Sequence, residues 1–109
     1  MNLKQTFEVA RLLDTYGQLL TKKQQAILNS YVNFNGSISE IAEDTGISRQ
    51  AVLDSIKRTV CKLENYEKKL GICEKMSKIY LKISELSKKF CLTSQQEKEL
   101  VSTFKIMEE

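Results

Sequence analysis

Residues 37–59 read SISEIAEDTGISRQAVLDSIKRT, and this stretch decides the fold. Ser37 and the glutamate three residues later have the spacing of a capping box, which satisfies free amides at the start of a helix. Gly46 stands where this short helix must end, and Ser48 can cap a second helix. Two short helices joined by a three- or four-residue turn predict a helix-turn-helix over residues 37–60.

The apolar residues of this segment have the spacing needed to fill the wedge between its two helices. Ala42 is small at the position where the helices would cross closely. The predicted wedge consists of Ile41, Ile47, Val52 and Ile56.

The cap at Ser48 predicts that the first turn of the second helix projects outward. Arg49 has a planar fork of donors that suits guanine or a phosphate, and the Gln50 amide suits adenine. Lys57 and Arg58 lie two turns further along the second helix and could bind the phosphates of a nucleic-acid backbone. These five residues are the candidate nucleic-acid-binding site.

The net negative charge of the same segment argues against DNA binding by this segment alone. Residues 37–67 hold four Lys or Arg against six Asp or Glu. Affinity for DNA depends heavily on neutralising phosphates, so this unit needs the lysines of residues 68–89 or a second subunit to bind DNA well. The alternative is a helix-turn-helix that serves only as a packing unit. The acidic residues that flank the site are Glu40, Glu43, Asp44 and Asp54.

The rest of the chain also has helical periodicity, and its 109 residues contain no proline and four glycines. We predict an all-α protein: a helix-turn-helix bundle without a wing, resembling region four of sigma factors, with a C-terminal helical hairpin. The predicted domains are residues 1–70 and 71–109. The predicted helices run from about residue 3 to 16, from Thr21 to a left-handed Gly36, from Ser37 to Gly46, from Arg49 to Lys69, from Ile72 to Phe90, and onward from Thr93.

Two apolar patterns near the C-terminus predict which faces of the fifth and sixth helices are buried. A strict two-per-heptad seam on the fifth helix comprises Ile72, Met76, Ile79, Ile83, Leu86 and Phe90. The last helix is lined by Leu100, Phe104 and Met107. The last helix could cover the seam within the chain, or a second subunit could, and we predict a homodimer.

The positive charge of the chain is concentrated after its middle. Residues 68–89 hold seven lysines against two glutamates, whereas the whole chain has a net charge of +3. This helix could contact RNA or an acidic protein face, or it could be a solvated face opposite the seam. The candidate basic face is Lys75, Lys78, Lys82 and Lys89.

Composition argues against several classes of function. The chain has no histidine, so Ser-His and Cys-His nucleophile pairs are absent, and it has no Gly-rich phosphate loop. Glu43 and Asp44 point in different directions on a helix, and three widely spaced cysteines suit neither a disulfide framework nor a zinc site. The sequence therefore predicts no enzyme, no metal and no cofactor. Without a bilayer-length apolar run or a secretory signal, we expect a cytoplasmic protein that does not insert into membranes.

A longer pattern resembles the YlxM family of bacterial helix-turn-helix proteins. The resemblance covers about residues 12–70, and the run SRQAV-x-x-x-IKRT is its most specific part. Two departures are Leu53, where an aromatic residue is common, and Asn-Phe-Asn-Gly at residues 33–36 in place of an Asp-Asp turn. The matching residues are 16, 19–21, 23–24, 31, 39–43, 48–52, 56–59 and 63–70.

This family is encoded beside the signal recognition particle GTPase and its receptor. The resemblance implies a non-enzymatic protein that takes part in or regulates this protein-targeting pathway. The implied partners are the particle GTPase, its receptor or the particle RNA. The alternative is a sequence-specific DNA-binding transcription regulator.

Overall fold

The computed structural model describes residues 2–105, apart from the side chain of Phe104. It contains six α-helices and, within those residues, no β-strand, which confirms the all-α prediction. A single 3₁₀ turn, Gly17–Leu19, follows the first helix. The helices are α1 (Leu3–Tyr16), α2 (Lys22–Val32), α3 (Ile38–Thr45), α4 (Arg49–Leu70), α5 (Ile72–Lys89) and α6 (Ser94–Lys105).

The chain divides into two compact units, Met1–Leu70 and Gly71–Glu109. In the first unit, α4 is the central helix, because α1, α2 and α3 all pack against it. Leu28, Val52 and Leu63 are completely buried in this core. Burying a side chain of this size stabilises the fold by about 1.5–3 kcal/mol, so the core fixes the direction of α4. Whether either unit folds as an independent domain stays a prediction.

Local capping signals explain where the helices of the first unit begin. The Gln24 amide N–H donates to Thr21 Oγ1 (3.1 Å), and the Thr21 N–H donates to Gln24 Oε1 (3.2 Å). A capping box therefore starts α2, which confirms the predicted helix start at Thr21. At α3, the Glu40 N–H donates to Ser37 Oγ (3.1 Å), so the first of the two capping-box bonds forms. Gly46 ends α3 with φ 73°, a left-handed conformation, as expected.

The corner between α2 and α3 differs from the prediction. The left-handed residue is Asn35 (φ 51°), not Gly36, and α2 already ends at Val32. Gly36 is required for a different reason: its N–H donates to the Ser30 carbonyl (2.9 Å), and a Cβ there would lie 3.0 Å from the same oxygen. The corner therefore uses asparagine for the turn and glycine for the close approach.

Three apolar positions of the first unit lie outside its core or at its edge. Phe7 is 64% exposed, because Val9 rather than Phe7 faces the core of α1. Phe34 lies beyond the end of α2 and is exposed. On α4, Thr59 is buried in place of the half-buried Val60; its hydroxyl donates to the Ser55 carbonyl (2.7 Å) and so is satisfied within the helix.

The second unit is the helical hairpin of α5 and α6. Cys91 adopts φ 51° at the turn, and reciprocal bonds between Thr93 and Gln96 confirm the cap of α6. The predicted seam on α5 is partly wrong, because Ile72 and Phe90 are exposed. The buried face is rotated and comprises Cys73, Met76, Ile83 and Ser87. On α6, the Phe104 side chain and Met107 lie outside the described residues, and Leu100 is partly exposed.

Candidate nucleic-acid interface

The wedge of the helix-turn-helix is packed largely as the sequence predicts. Ile41, Val52 and Ile56 are buried, and so is Ala42 on α3. Ile47, in the turn, is half-buried. These contacts hold the first turns of α4 at the surface of the first unit.

Ser48 caps α4 with both its side chain and its backbone. The Ala51 N–H donates to Ser48 Oγ (3.1 Å), and the Val52 N–H donates to the Ser48 carbonyl (3.0 Å). An accepting hydroxyl still has a proton to donate, so Ser48 can hold the helix start and also donate to a phosphate oxygen.

The two residues that follow the cap, Arg49 and Gln50, are both exposed, but Gln50 is held by a hydrogen bond within α4. Gln50 Nε2 donates to Asp54 Oδ1 (3.0 Å), one turn further along α4. To read an adenine with both its amide donor and its carbonyl, Gln50 would have to give up this bond.

Lys57 and Arg58 are exposed on α4, but they do not lie on the same line. Lys57 follows Gln50 by seven residues, so these two side chains share one stripe of the helix. Arg58 is rotated about 100° from Lys57 and points toward α2. There it lines a surface pocket of about 380 Å³ together with Lys23 and Asp54. The predicted site therefore divides into an outward stripe and a second side facing α2.

Lys23 is a candidate that sequence reasoning missed. It lies in the first turn of α2, far from Arg58 along the chain, and only the packing of α2 on α4 brings both to one pocket. The adjacent Thr21 capping box gave a signal for the helix start, but nothing in the local sequence pairs Lys23 with Arg58.

Acidic side chains border the N-terminal end of α4, where Ser48, Arg49 and Gln50 lie; we call this the reading end. Glu40, Glu43 and Asp44 are exposed on α3, and Asp54 is exposed on α4. These carboxylates repel phosphates within a Debye length of about 8–10 Å at physiological salt. Electrostatics alone therefore do not draw nucleic acid to the N-terminus of α4.

The candidate basic face of the second unit lies along α5. Its lysines are exposed and follow one another at helical spacing. Lys78 pairs with Glu74 (3.4 Å) and Lys82 with Glu85 (3.9 Å), so part of the positive charge is balanced locally. The Lys89 ammonium lies 5.6 Å from the centroid of the Phe90 ring. The full face is Lys75, Lys78, Lys82 and Lys89.

The part of the chain that the structure describes holds neither a cluster of metal ligands nor a membrane-spanning helix. Within residues 2–105, no three His, Cys, Asp or Glu side chains come together as a group that could hold a metal ion. None of the helices described is both long and apolar enough to span a bilayer. The cysteines are unbonded thiols, with Cys73 buried and Cys61 and Cys91 exposed.

A family profile described as "Putative helix-turn-helix protein, YlxM / p13 like" matches residues 3–103. This chain belongs to the UPF0122 family. The UPF0122 protein YlxM of Bacillus subtilis (strain 168) is 37% identical over 111 residues, an alignment that covers 99% of this chain and 97% of the relative. The predicted resemblance is thereby confirmed, and it extends beyond residues 12–70 into the hairpin.

Two further UPF0122 relatives match about two thirds of the chain. A UPF0122 protein of Acetivibrio thermocellus is 51% identical over 73 residues, covering 67% of this chain but only 62% of the relative. A UPF0122 protein of Clostridium kluyveri is 46% identical over 77 residues, covering 71% and 69%. The helix-turn-helix of this UPF0122 chain is thus both a family feature and a feature of its structure.

Proposed function

We propose that this chain is a non-enzymatic regulator that binds nucleic acid with the exposed side of α4 and acts in the signal recognition particle pathway. The observation that carries the proposal is the presentation of α4. Buried Val52 and Ile56 fix the helix, Ser48 caps it, and the side chains that follow the cap face solvent. This is how helix-turn-helix proteins present a recognition helix.

The five site residues take different roles in this proposal. Ser48 donates its hydroxyl to a phosphate while it caps the helix. Arg49 binds a phosphate or a guanine edge, and Gln50 reads a base when Asp54 releases it. Lys57 and Arg58 bind the backbone and position the helix.

The pathway comes from the family resemblance, and the chemistry of the site is compatible with it. The particle RNA supplies the phosphates that Arg49, Lys57 and Arg58 would bind, and the particle GTPase or its receptor supplies a protein surface. The lysines of α5 give a second contact to RNA or to an acidic protein face. We therefore propose that the protein acts in the cytoplasm.

A pull-down from native cytosol, with and without nuclease, tests this proposal. We expect the particle RNA, the particle GTPase or its receptor to be captured, and nuclease to remove whatever is held through RNA. The test variant is Arg49→Ala with Gln50→Ala, and the matched control is Lys98→Ala with Gln95→Ala on α6, which removes the same charge and one amide. Recovery of none of the three partners would contradict the pathway assignment.

A second candidate function is a transcription regulator that reads duplex DNA. The exposed Arg49 beside the intact Ser48 cap favours it. Such a regulator protects a defined duplex from nuclease, and the Arg49→Ala and Gln50→Ala double variant loses the protection without losing helicity. Selection for bound genomic fragments that returns no common sequence would argue against this function.

We also propose that the hairpin pairs with a second copy of the chain. Leu81, Phe90 and Leu100 are exposed on α5, its C-cap and α6, which leaves apolar surface for the same hairpin of another molecule. Sedimentation equilibrium then gives twice the 12.5 kDa chain mass. Phe90→Ser should shift the protein toward the monomer, and a wild-type protein that stays monomeric at high concentration would contradict the pairing.

A further inference from the structure

A row of positive side chains runs along α4 beyond the predicted reading end. Arg58, Lys62 and Lys69 follow one another with Asn65 between them, at spacings of four, three and four residues. Residues spaced in this way lie on one face of an α-helix. Arg58, Asn65 and Lys69 are exposed, and Lys62 is half-buried, so its ammonium can reach water from a packed stem.

This row contains no acidic residue. Glu64 and Glu67 lie on other faces of α4, and Glu67 accepts a hydrogen bond from the Tyr16 hydroxyl (2.5 Å). Asp54 lies one turn before Arg58 and marks the end of the row, where it accepts from Gln50. Asp54 therefore lies on the face of the row at its N-terminal end, and no acidic residue lies on that face between Arg58 and Lys69.

Lys23 extends the row onto α2. It lines the same pocket as Arg58, so the two helices contribute to one continuous surface. We call Lys23, Arg58, Lys62 and Lys69 the α4 cationic row. No member of this row forms an ion pair with another described residue, in contrast to Lys78 and Lys82 on α5.

A purely structural explanation accounts for only part of the row. Lys69 lies in the last turn of α4, where a cation interacts favourably with the helix dipole. That effect falls off within the last turn, so it does not explain Lys62 or Arg58. Lys23 lies in the first turn of α2, where the dipole disfavours a cation. The helix dipole therefore does not explain three of the four charges.

We infer that the α4 cationic row is a track for the phosphodiester backbone of a nucleic-acid duplex. Arg58 and Lys69 are separated by about 16 Å along the helix axis at 1.5 Å per residue. Over that length one strand of a duplex presents about five phosphates, at one charge per roughly 3.4 Å. The track deepens the proposed function, on which it rests, by locating most of the binding energy away from the acidic reading end. Binding is then largely independent of base sequence.

Salt-dependent binding of the full chain tests the track. The variant is Lys23→Gln, Lys62→Gln and Lys69→Gln, which leaves Arg58 and the other predicted site residues intact. The control removes the same charge elsewhere, with Lys4→Gln, Lys98→Gln and Lys105→Gln, all of them exposed. The probes are fluorescent mixed-sequence RNA and DNA duplexes of equal length, titrated at several salt concentrations. Circular dichroism checks that both variants remain helical.

We expect the track variant to bind both duplexes at least about tenfold more weakly than the control at low salt. The slope of log K against log salt should also fall by about two to three, because each lost phosphate contact contributes about 0.9 for a duplex. A track variant that binds with the affinity and slope of the control overturns the inference.

The remaining outcomes separate the track from the proposed site. If Arg49→Ala with Gln50→Ala abolishes binding while the track variant matches the control, the reading end stands and the track is wrong. If the track variant loses binding while the Arg49 and Gln50 variant does not, the track stands and the reading end is wrong. A wild-type protein that binds neither duplex overturns both.

Discussion

The two units of the chain use their apolar residues differently. The first unit packs four helices around Leu28, Val52 and Leu63, all completely buried. In the second unit, the apolar side chains buried among those described are Cys73, Met76 and Ile83, whereas Leu81 is 62% exposed. The first unit therefore has the larger apolar core, and we predict that it is the more stable of the two.

The two units also differ in how their positive side chains are paired with acidic ones. On α5, the lysines are interleaved with Glu74 and Glu85, which pair with two of them. On α4, the cationic row has no acid on its own face between Arg58 and Lys69, although Asp54 lies at its N-terminal end, and the helix that carries it is fixed by a dense core. Among the described residues, the row on α4 therefore forms no ion pair, whereas two lysines of the more basic α5 segment do. The following substitutions test the packing half of this comparison.

Leu63→Ala should have the largest effect on stability. Leu63 is 0% exposed at the centre of the first unit, and a Leu to Ala change at such a site costs about 3–5 kcal/mol. Urea unfolding followed by circular dichroism at 222 nm measures the change. A loss below about 1 kcal/mol would mean that the core of the first unit is loosely packed.

Ile83→Ala should cost less, about 2 kcal/mol, at the lower end of the range for such changes. Ile83 is buried, but the small core of its hairpin can collapse around the lost atoms more easily. Hydrogen exchange measures which helices are destabilised. Amides of α5 and α6 should lose protection, while those of α1–α4 should keep theirs. Equal loss of protection in both units would show that they unfold together.

Two buried hydroxyls give the smallest effects, and the two should have opposite signs. Thr59 in the first unit donates to the Ser55 carbonyl, whereas Ser87 Oγ is buried without a partner among the described residues. Ser87→Ala should raise stability by about 0.5 kcal/mol, because it removes an unsatisfied group and improves helix propensity. Thr59→Ala should lower it by about 1 kcal/mol through lost packing. Thermal melting of both variants checks the signs.

Local signals made much of this fold predictable from the sequence. The caps at Thr21, Ser48 and Thr93 and the left-handed Gly46 involve residues within one turn of each other, so their spacing alone identifies the helix ends. The wedge of the helix-turn-helix was predictable for the same reason. Its apolar residues come from adjacent helices joined by a fixed turn.

The features that the sequence did not predict depend on distant packing. The buried face of α5 includes Cys73 instead of Ile72. Periodicity shows which residues share a face of a helix, but it does not show which of two adjacent faces the rest of the protein covers. Periodicity could not foresee that Thr59 satisfies its own hydroxyl and enters the core. Likewise, Lys23 joins Arg58 only through the packing of α2 on α4.

Amide chemical shifts of the isotope-labelled full chain, followed during titration with a mixed-sequence RNA duplex, test the central claim most directly. That claim is that the exposed side of α4 is the binding surface. We predict that the largest shifts occur between Ser48 and Lys69 on the solvent side of α4 and at Lys23. Shifts confined to α5 and α6, or no shifts at saturating duplex, would contradict it.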